Sequence, residues 1–151
     1  MKSPTSAEAD ALTRGDFDIE RFVGLAGNFG HGKAVGYRYR DHGDNWVELE
    51  LPSRPELVGV PEQNILASGA IFSLVDMCGG ASVFQTMGLF EPIVTIDLRL
   101  DYLRPALLGD SVFARCECYK MTSRVAFVRG TAFLDEERQL ANVTGTYMRR
   151  P

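Results

Sequence analysis

The sequence predicts an α+β domain in which a strongly curved antiparallel β-sheet wraps a long central apolar helix. Three observations predict it. From Ser68 to Met87 the chain carries one charge, Asp76, set among Ile71, Phe72, Leu74, Val75, Met77 and Val83. That stretch is too long and too evenly apolar for one strand, and a helix apolar almost all round must be covered on most sides. Four strand-like runs follow it with no helix between them, which favours an antiparallel sheet over alternating parallel β-α units. A hairpin pattern precedes it.

The elements follow in order. The opening MKSPTSAEADALTRGD has one Lys and no apolar stretch after it, so it does not read as a secretory signal. Residues 1–17 are expected to be a flexible lead-in to a single domain spanning 18–151. IERFVGLAG reads as a short helix with Ile19, Phe22, Val23 and Leu25 on one side and Gly27 as its stop. Val35, Tyr37 and Tyr39 alternate, as do Val47, Leu49 and Leu51, on either side of His42-Gly43-Asp44-Asn45. SRPELVGVPEQN is a loop of roughly a dozen residues, a length often tied to function. Ser68 sits at an N-cap position of the central helix and Gly88 at its C-cap. In VTIDLRLDYLRP, Val94, Ile96, Leu98, Leu100 and Tyr102 fall on one face, and Thr95, Asp97, Arg99 and Asp101 on the other. SVFARCECY, RVAFVRGTAFLD and QLANVTGTYM complete the strands, separated by turn-like MTS and DEER.

Bulk properties narrow the function. A chain of 151 residues, 45% hydrophobic and 24% charged, is an ordinary globular domain with a sizeable core. Its net charge of −4, with no basic and aromatic stripe, argues against nucleic acid as a partner. No unbroken run of about 18 apolar residues suggests a membrane span. Cys78, Cys116 and Cys118 are odd in number and lack finger-like spacing; Cys116 and Cys118 share a strand face. They read as buried free thiols in a reducing, cytoplasmic setting. His31 and His42 lie in glycine-rich loop sequence away from other ligating residues, so no metal site is expected.

Asp76 is the residue to explain, because a buried carboxylate without a partner shifts its pKa, finds donors, or is kept for a task. A helix N-terminus offers unsatisfied N–H groups and a positive dipole end. Gly69 and Ala70 have little side chain to keep a ligand carbonyl off those amides, which makes them a candidate oxyanion hole. Asp76 lies about 10 Å further along the axis. One reacting carbon cannot touch both within a chain. If both act, they come from different subunits of an antiparallel pair, and the protein is a homodimer or a dimer of dimers. The structural alternative is an Asp76 hydrogen-bonded to a neighbouring loop. Gly79 and Gly80 either leave room for an acyl chain or let a strand approach.

LASGAIFSLVD at the start of the helix, VTIDLRLDYLRPALLGD after it and the closing NVTGTYM resemble the hotdog-fold thioesterases, specifically the phenylacetyl-CoA thioesterase-like branch. The resemblance covers about residues 54–148. Its most specific part is D-Y-x-R-P followed by G-D. The family pattern His-Gly-Gly, then Asp or Glu after six residues, stands here as Ala67-Ser68-Gly69 with Asp76. The resemblance implies hydrolysis of an acyl-CoA to a carboxylate and free CoA at a site shared between subunits. Asp76 would attack the thioester or activate water, and Thr95 would orient that water. Gln63 and Asn64 would face the substrate, with Ser68 on the ligand path. Arg104, Ser123 and Arg124 would meet the CoA phosphates. No cofactor is implied beyond the CoA carried by the substrate.

Plainer roles stand beside these. Thr95 is also an ordinary β-branched strand residue, Gln63 and Asn64 are turn formers, and the arginines suit solvated strand ends. A non-catalytic acyl-CoA or acyl-carrier binding module is the alternative function. A hydratase would need a His with an acid in the site, and both histidines lie upstream of it. Phe72, Met77, Phe84 and Met87 suit aryl and medium aliphatic acyl groups equally.

Overall fold

The computed structural model describes residues 17–149. Its elements in chain order are α1 (Ile19–Ala26), α2 (Gly30–Val35), β1 (Arg38–His42), β2 (Trp46–Leu51), β3 (Val58–Val60), β4 (Ile65–Leu66), α3 (Ser68–Met87), β5 (Ile93–Tyr102), β6 (Val112–Met121), β7 (Val125–Phe133) and β8 (Gln139–Arg149). Six strands form one antiparallel sheet in the order β1-β2-β6-β7-β8-β5, and β3 pairs with β4 in a small separate hairpin.

The predicted central helix is α3, and small side chains are what let the sheet close on it. Ala114, Cys116, Ala126, Ala132 and Ala141 line the inner face of β6, β7 and β8, fully buried. On the helix, every residue from Cys78 to Phe84 is buried. Gly79 and Gly80 serve the approach of the strands. A Cβ at Gly79 would collide with the Tyr147 hydroxyl of β8, and one at Gly80 would touch Ile93 of β5. Gly79→Ala is therefore expected to destabilise the fold by about 1–3 kcal/mol, read by urea denaturation. Tyr147→Phe in the same chain should recover part of that loss, because the hydroxyl is the nearest obstacle.

By length and composition α3 is the one helix among the described residues that could cross a bilayer, but 56% of its apolar window is buried inside the fold. It is a core helix. From Cys78 to Phe84 it is covered on all sides. Its N-terminal half keeps one face open, along Ser68, Gly69 and Phe72.

Several expectations need correction. The N-cap of α3 is Ala67, which makes no side-chain cap bond, and Ser68 is the first helical residue. Gly88 does close the helix in the left-handed conformation, at φ 66°. Val35 does not begin a strand with Tyr37 and Tyr39. It ends α2, where Gly36 turns the chain at φ 79° and the Arg54 guanidinium donates to the carbonyls of Ala34 and Val35 at 2.6 and 2.7 Å. The long loop holds two short 3-10 turns, Pro55–Leu57 and Pro61–Gln63, and the β3-β4 hairpin. Of the expected lead-in, residues 1–16 lie outside the described residues. Phe17 belongs to the fold, 6.1 Å from Phe22 and 6.4 Å from Phe84 between ring centroids.

The largest correction concerns β5. Its register against β8 shifts between Thr95 and Asp97, a bulge that reverses which parity faces the helix. Ile93 and Thr95 point inward before it, Leu98 and Leu100 after it. Val94 and Ile96, expected on the face of Leu98, are instead 66% and 52% exposed.

Candidate active site

The open face of α3 gathers the groups that can do chemistry. At its first turn, the Ala70 amide donates to the Ala67 carbonyl at 3.1 Å, closing a tight turn. Ala70 is thus engaged and drops out of the expected oxyanion hole. The Ser68 and Gly69 amides have no protein acceptor among the described residues. Apart from its chain neighbours and the backbone of its own helix, no atom lies within 4 Å of where a Gly69 Cβ would stand, so the approach to its amide is open.

Two turns on, Asp76 is half-buried and held by hydroxyls. Thr95 Oγ1 donates to Asp76 Oδ1 at 2.8 Å. The Tyr147 hydroxyl lies 3.2 Å from the Asp76 carbonyl oxygen and 3.5 Å from Oδ1. Thr95 and Tyr147 are direct cross-strand partners in the β5-β8 register, so one pair on the inner sheet face delivers both hydroxyls. None of the ion pairs among the described residues includes Asp76. Nor does any donor among those residues reach Oδ2. The Thr95 proton is committed to Oδ1, so its oxygen is left to accept a hydrogen from water. The bulge makes this possible, since it turns Thr95 and Leu98 to the same side.

Sequence reasoning missed His31. It sits in α2 rather than a loop, and its Nε2 lies 2.8 Å from Ser73 Oγ on the open face of α3. Ser73 donates to the Gly69 carbonyl at 2.9 Å, so His31 Nε2 carries the proton of that pair. His42 bonds Tyr39 at 2.6 Å in the β1-β2 hairpin, away from the helix. The only signal for α2 was six residues between Phe29 and Gly36, too short for a periodicity.

The remaining expected residues fall into two groups. Ser68 and Arg104 line one cleft of about 370 Å³ at the start of α3, with Ile65, Leu66, Ile71 and Tyr102. Tyr102 also donates to the Ser68 carbonyl at 3.2 Å. Gln63 and Asn64 end the turn just before β4. Asn64 adopts φ 54° and its carbonyl accepts from Leu108 at 2.7 Å, a turn-forming role. Ser123 and Arg124 lie at the far end, in the β6-β7 turn, where the Arg124 carbonyl accepts from Arg149 at 2.7 Å beside the start of β5. A cleft of about 390 Å³ on the outer sheet face is remote from all of these. There Arg115 is occupied by Trp46, 4.2 Å from its ring centroid, and by Glu48 at 2.8 Å.

A family model described as the thioesterase superfamily matches residues 63–141, the span that holds α3, β5 and Thr95, while Tyr147 lies just beyond it. The chain belongs to the thioesterase superfamily. The medium/long-chain acyl-CoA thioesterase YigI of Escherichia coli is 30% identical over 129 residues, covering 77% of this chain and 83% of that protein. A crystal structure of a Pseudomonas aeruginosa protein is 32% identical, with a TM-score of 0.74 over 87% of this chain and 96% of that one. The PaaI protein of the E. coli phenylacetic acid degradation operon, at 14% identity, has a TM-score of 0.73 over 89% and 97% of the two chains. The architecture predicted from the sequence is thus the hotdog fold of this superfamily, a sheet curled round one long helix.

Proposed function

We infer that the protein hydrolyses acyl-CoA thioesters to a carboxylate and free CoA, at sites shared between two subunits. The observation that carries this is the state of Asp76. It lies on the open face of a core helix, bonded by hydroxyls, with neither a cation nor a donor to its second carboxylate oxygen among the described residues. That is a group kept for reaction rather than for an ion pair.

Distance and the sheet edge support sharing. The free Gly69 amide is about 10 Å from Asp76 along one helix, too far for one thioester. β5 is an edge strand whose neighbourhood exposes Val94, Ile96 and Met148. Antiparallel mating of two β5 edges about a two-fold axis sets the Tyr102 end of one strand against the Ile93 end of the other. Gly69, Ser68 and Arg104 of one subunit then meet Asp76, Thr95, Ser123 and Arg124 of its partner. The two groups of residues, separate in one chain, become one site.

In that site the thioester carbonyl oxygen points at the Gly69 amide and the positive end of α3, where negative charge develops in the tetrahedral intermediate. Asp76 Oδ2 either attacks the carbonyl carbon or takes a proton from water that attacks it. CoA leaves as its thiolate, which needs no strong acid. Arg104, Ser123 and Arg124 are the groups for the CoA phosphates. Gln63 and Asn64 border the acyl path. The apolar cleft beside Tyr102, with the activity named for YigI, supports a medium-length aliphatic acyl group. The free thiols Cys78, Cys116 and Cys118 support a cytoplasmic location.

The test is thiol release from a series of acyl-CoAs, short to long and aryl. Turnover with a maximum at medium chains is expected. Calorimetric binding of acyl-CoA without release of thiol at any length would reject hydrolysis and make the protein a carrier or sensor.

A further inference from the structure

We propose that Tyr147 is a positioning residue for the reaction: with Thr95 it fixes one oxygen of Asp76 so that the other, Oδ2, is always the reacting one. The assignment rests on the thioesterase reading above. Tyr147 is the largest of the fully buried side chains, 1% exposed, and its ring is enclosed between α3 and the sheet. Its hydroxyl emerges at one place only, beside the Asp76 carbonyl and Oδ1.

The surroundings are arranged for that hydroxyl. Gly79, one turn after Asp76 on the side facing β8, has no side chain because the Tyr147 oxygen occupies the place of its Cβ. The Asp76 carbonyl already accepts within the helix, so the fold does not require the phenol there. Burial, and next the negative charge of Asp76, push the Tyr147 phenol above its ordinary pKa. It is therefore a donor at every working pH and never a competing anion.

The geometry separates two tasks between two oxygens. Oδ1 accepts from Thr95 at 2.8 Å, and the Tyr147 hydroxyl on the next strand stands 3.5 Å from the same oxygen, its one proton shared with the nearer Asp76 carbonyl at 3.2 Å; the two backbones are paired in register. A carboxylate so flanked keeps Oδ1 toward the sheet and Oδ2 toward the cleft for more of the time. Without Tyr147, Thr95 alone is a single tether on an edge strand, about which the carboxylate can swing. The reacting oxygen then spends less time in the attacking geometry, which lowers kcat while leaving substrate contacts alone.

The experiment compares wild type, Tyr147→Phe, Thr95→Val and the double variant on one acyl-CoA that the wild type hydrolyses. Tyr147→Phe keeps the ring and its packing. The expected result is a fall in kcat of roughly 10- to 100-fold with KM within about twofold and an unshifted melting curve. Because both hydroxyls hold the same oxygen, the double variant should miss the product of the single losses by more than about threefold. Unchanged kcat in Tyr147→Phe overturns the assignment. So do losses that multiply independently, or a parallel change of kcat, KM and melting temperature, which would mark a packing role. If the wild type releases no thiol from any acyl-CoA, the function itself falls and this assignment with it. A turning-over wild type beside an undiminished Tyr147→Phe removes the assignment alone.

Discussion

Asp76→Asn is expected to lower the rate of acyl-CoA hydrolysis by about 10²- to 10⁴-fold, the range lost with an essential acid-base group, while the protein stays folded. The substitution is unusually clean in this setting. The Asn carbonyl oxygen can still accept from Thr95 and lie beside the Tyr147 hydroxyl, as Oδ1 does now. Only the unengaged oxygen changes, to an amide nitrogen that can neither attack a carbonyl nor take a proton from water. No cation loses its partner, since none faces Asp76 among the described residues. Stability should move by no more than about 1 kcal/mol, the worth of one ordinary hydrogen bond. Steady-state kinetics beside a urea melt reads both. Activity within a few-fold of wild type would remove the carboxylate from the mechanism.

Gly69→Ala is the second large effect and is diagnostic for a different reason. A Cβ at this position meets nothing within 4 Å in its own chain. Alanine is also the better helix former by about 1 kcal/mol, so the variant should be as stable as wild type or more so. The added methyl stands in the approach to the free amide and holds a carbonyl oxygen off it. A kcat loss on the order of 10²-fold is expected, the scale of losing an oxyanion donor. The signature is activity lost while thermal stability is kept. Full activity in a stable Gly69→Ala protein would move the oxyanion contact elsewhere.

What could be read from the chain, and what could not, divides along physical lines. The central helix was legible because twenty residues with one charge leave few alternatives, and Gly88 marked its end by the left-handed turn that glycine favours. Asp76 was legible for the same reason, as a charge out of keeping with its surroundings. The β5 bulge was not, because Val94, Ile96, Leu98 and Leu100 continue one apolar alternation across it. An inserted residue changes which face they occupy without disturbing the pattern. In the proposed dimer, exposed Val94 and Ile96 flank the edge that the second subunit would cover. Ser68 failed as a cap because Ala67 supplies the extended backbone one residue earlier. Ala70 failed as a hole residue because the first turn tightens on Ala67. Tyr147 and His31 were out of reach. Tyr147 meets Asp76 across 71 residues and His31 meets Ser73 across 42, contacts that only the closed sheet and the short α2 create.

The most direct test of the shared site co-expresses the two damaged chains, Asp76→Asn and Gly69→Ala, carrying different tags. Each alone should be nearly inactive. In a mixed dimer, the acid of the Gly69→Ala chain faces the intact amide of the Asp76→Asn chain, so one site in that dimer is whole. With random pairing about half the dimers are mixed, and activity should return to roughly a quarter of wild type. A purified mixed dimer no more active than its parents would place both groups within single subunits and contradict the account.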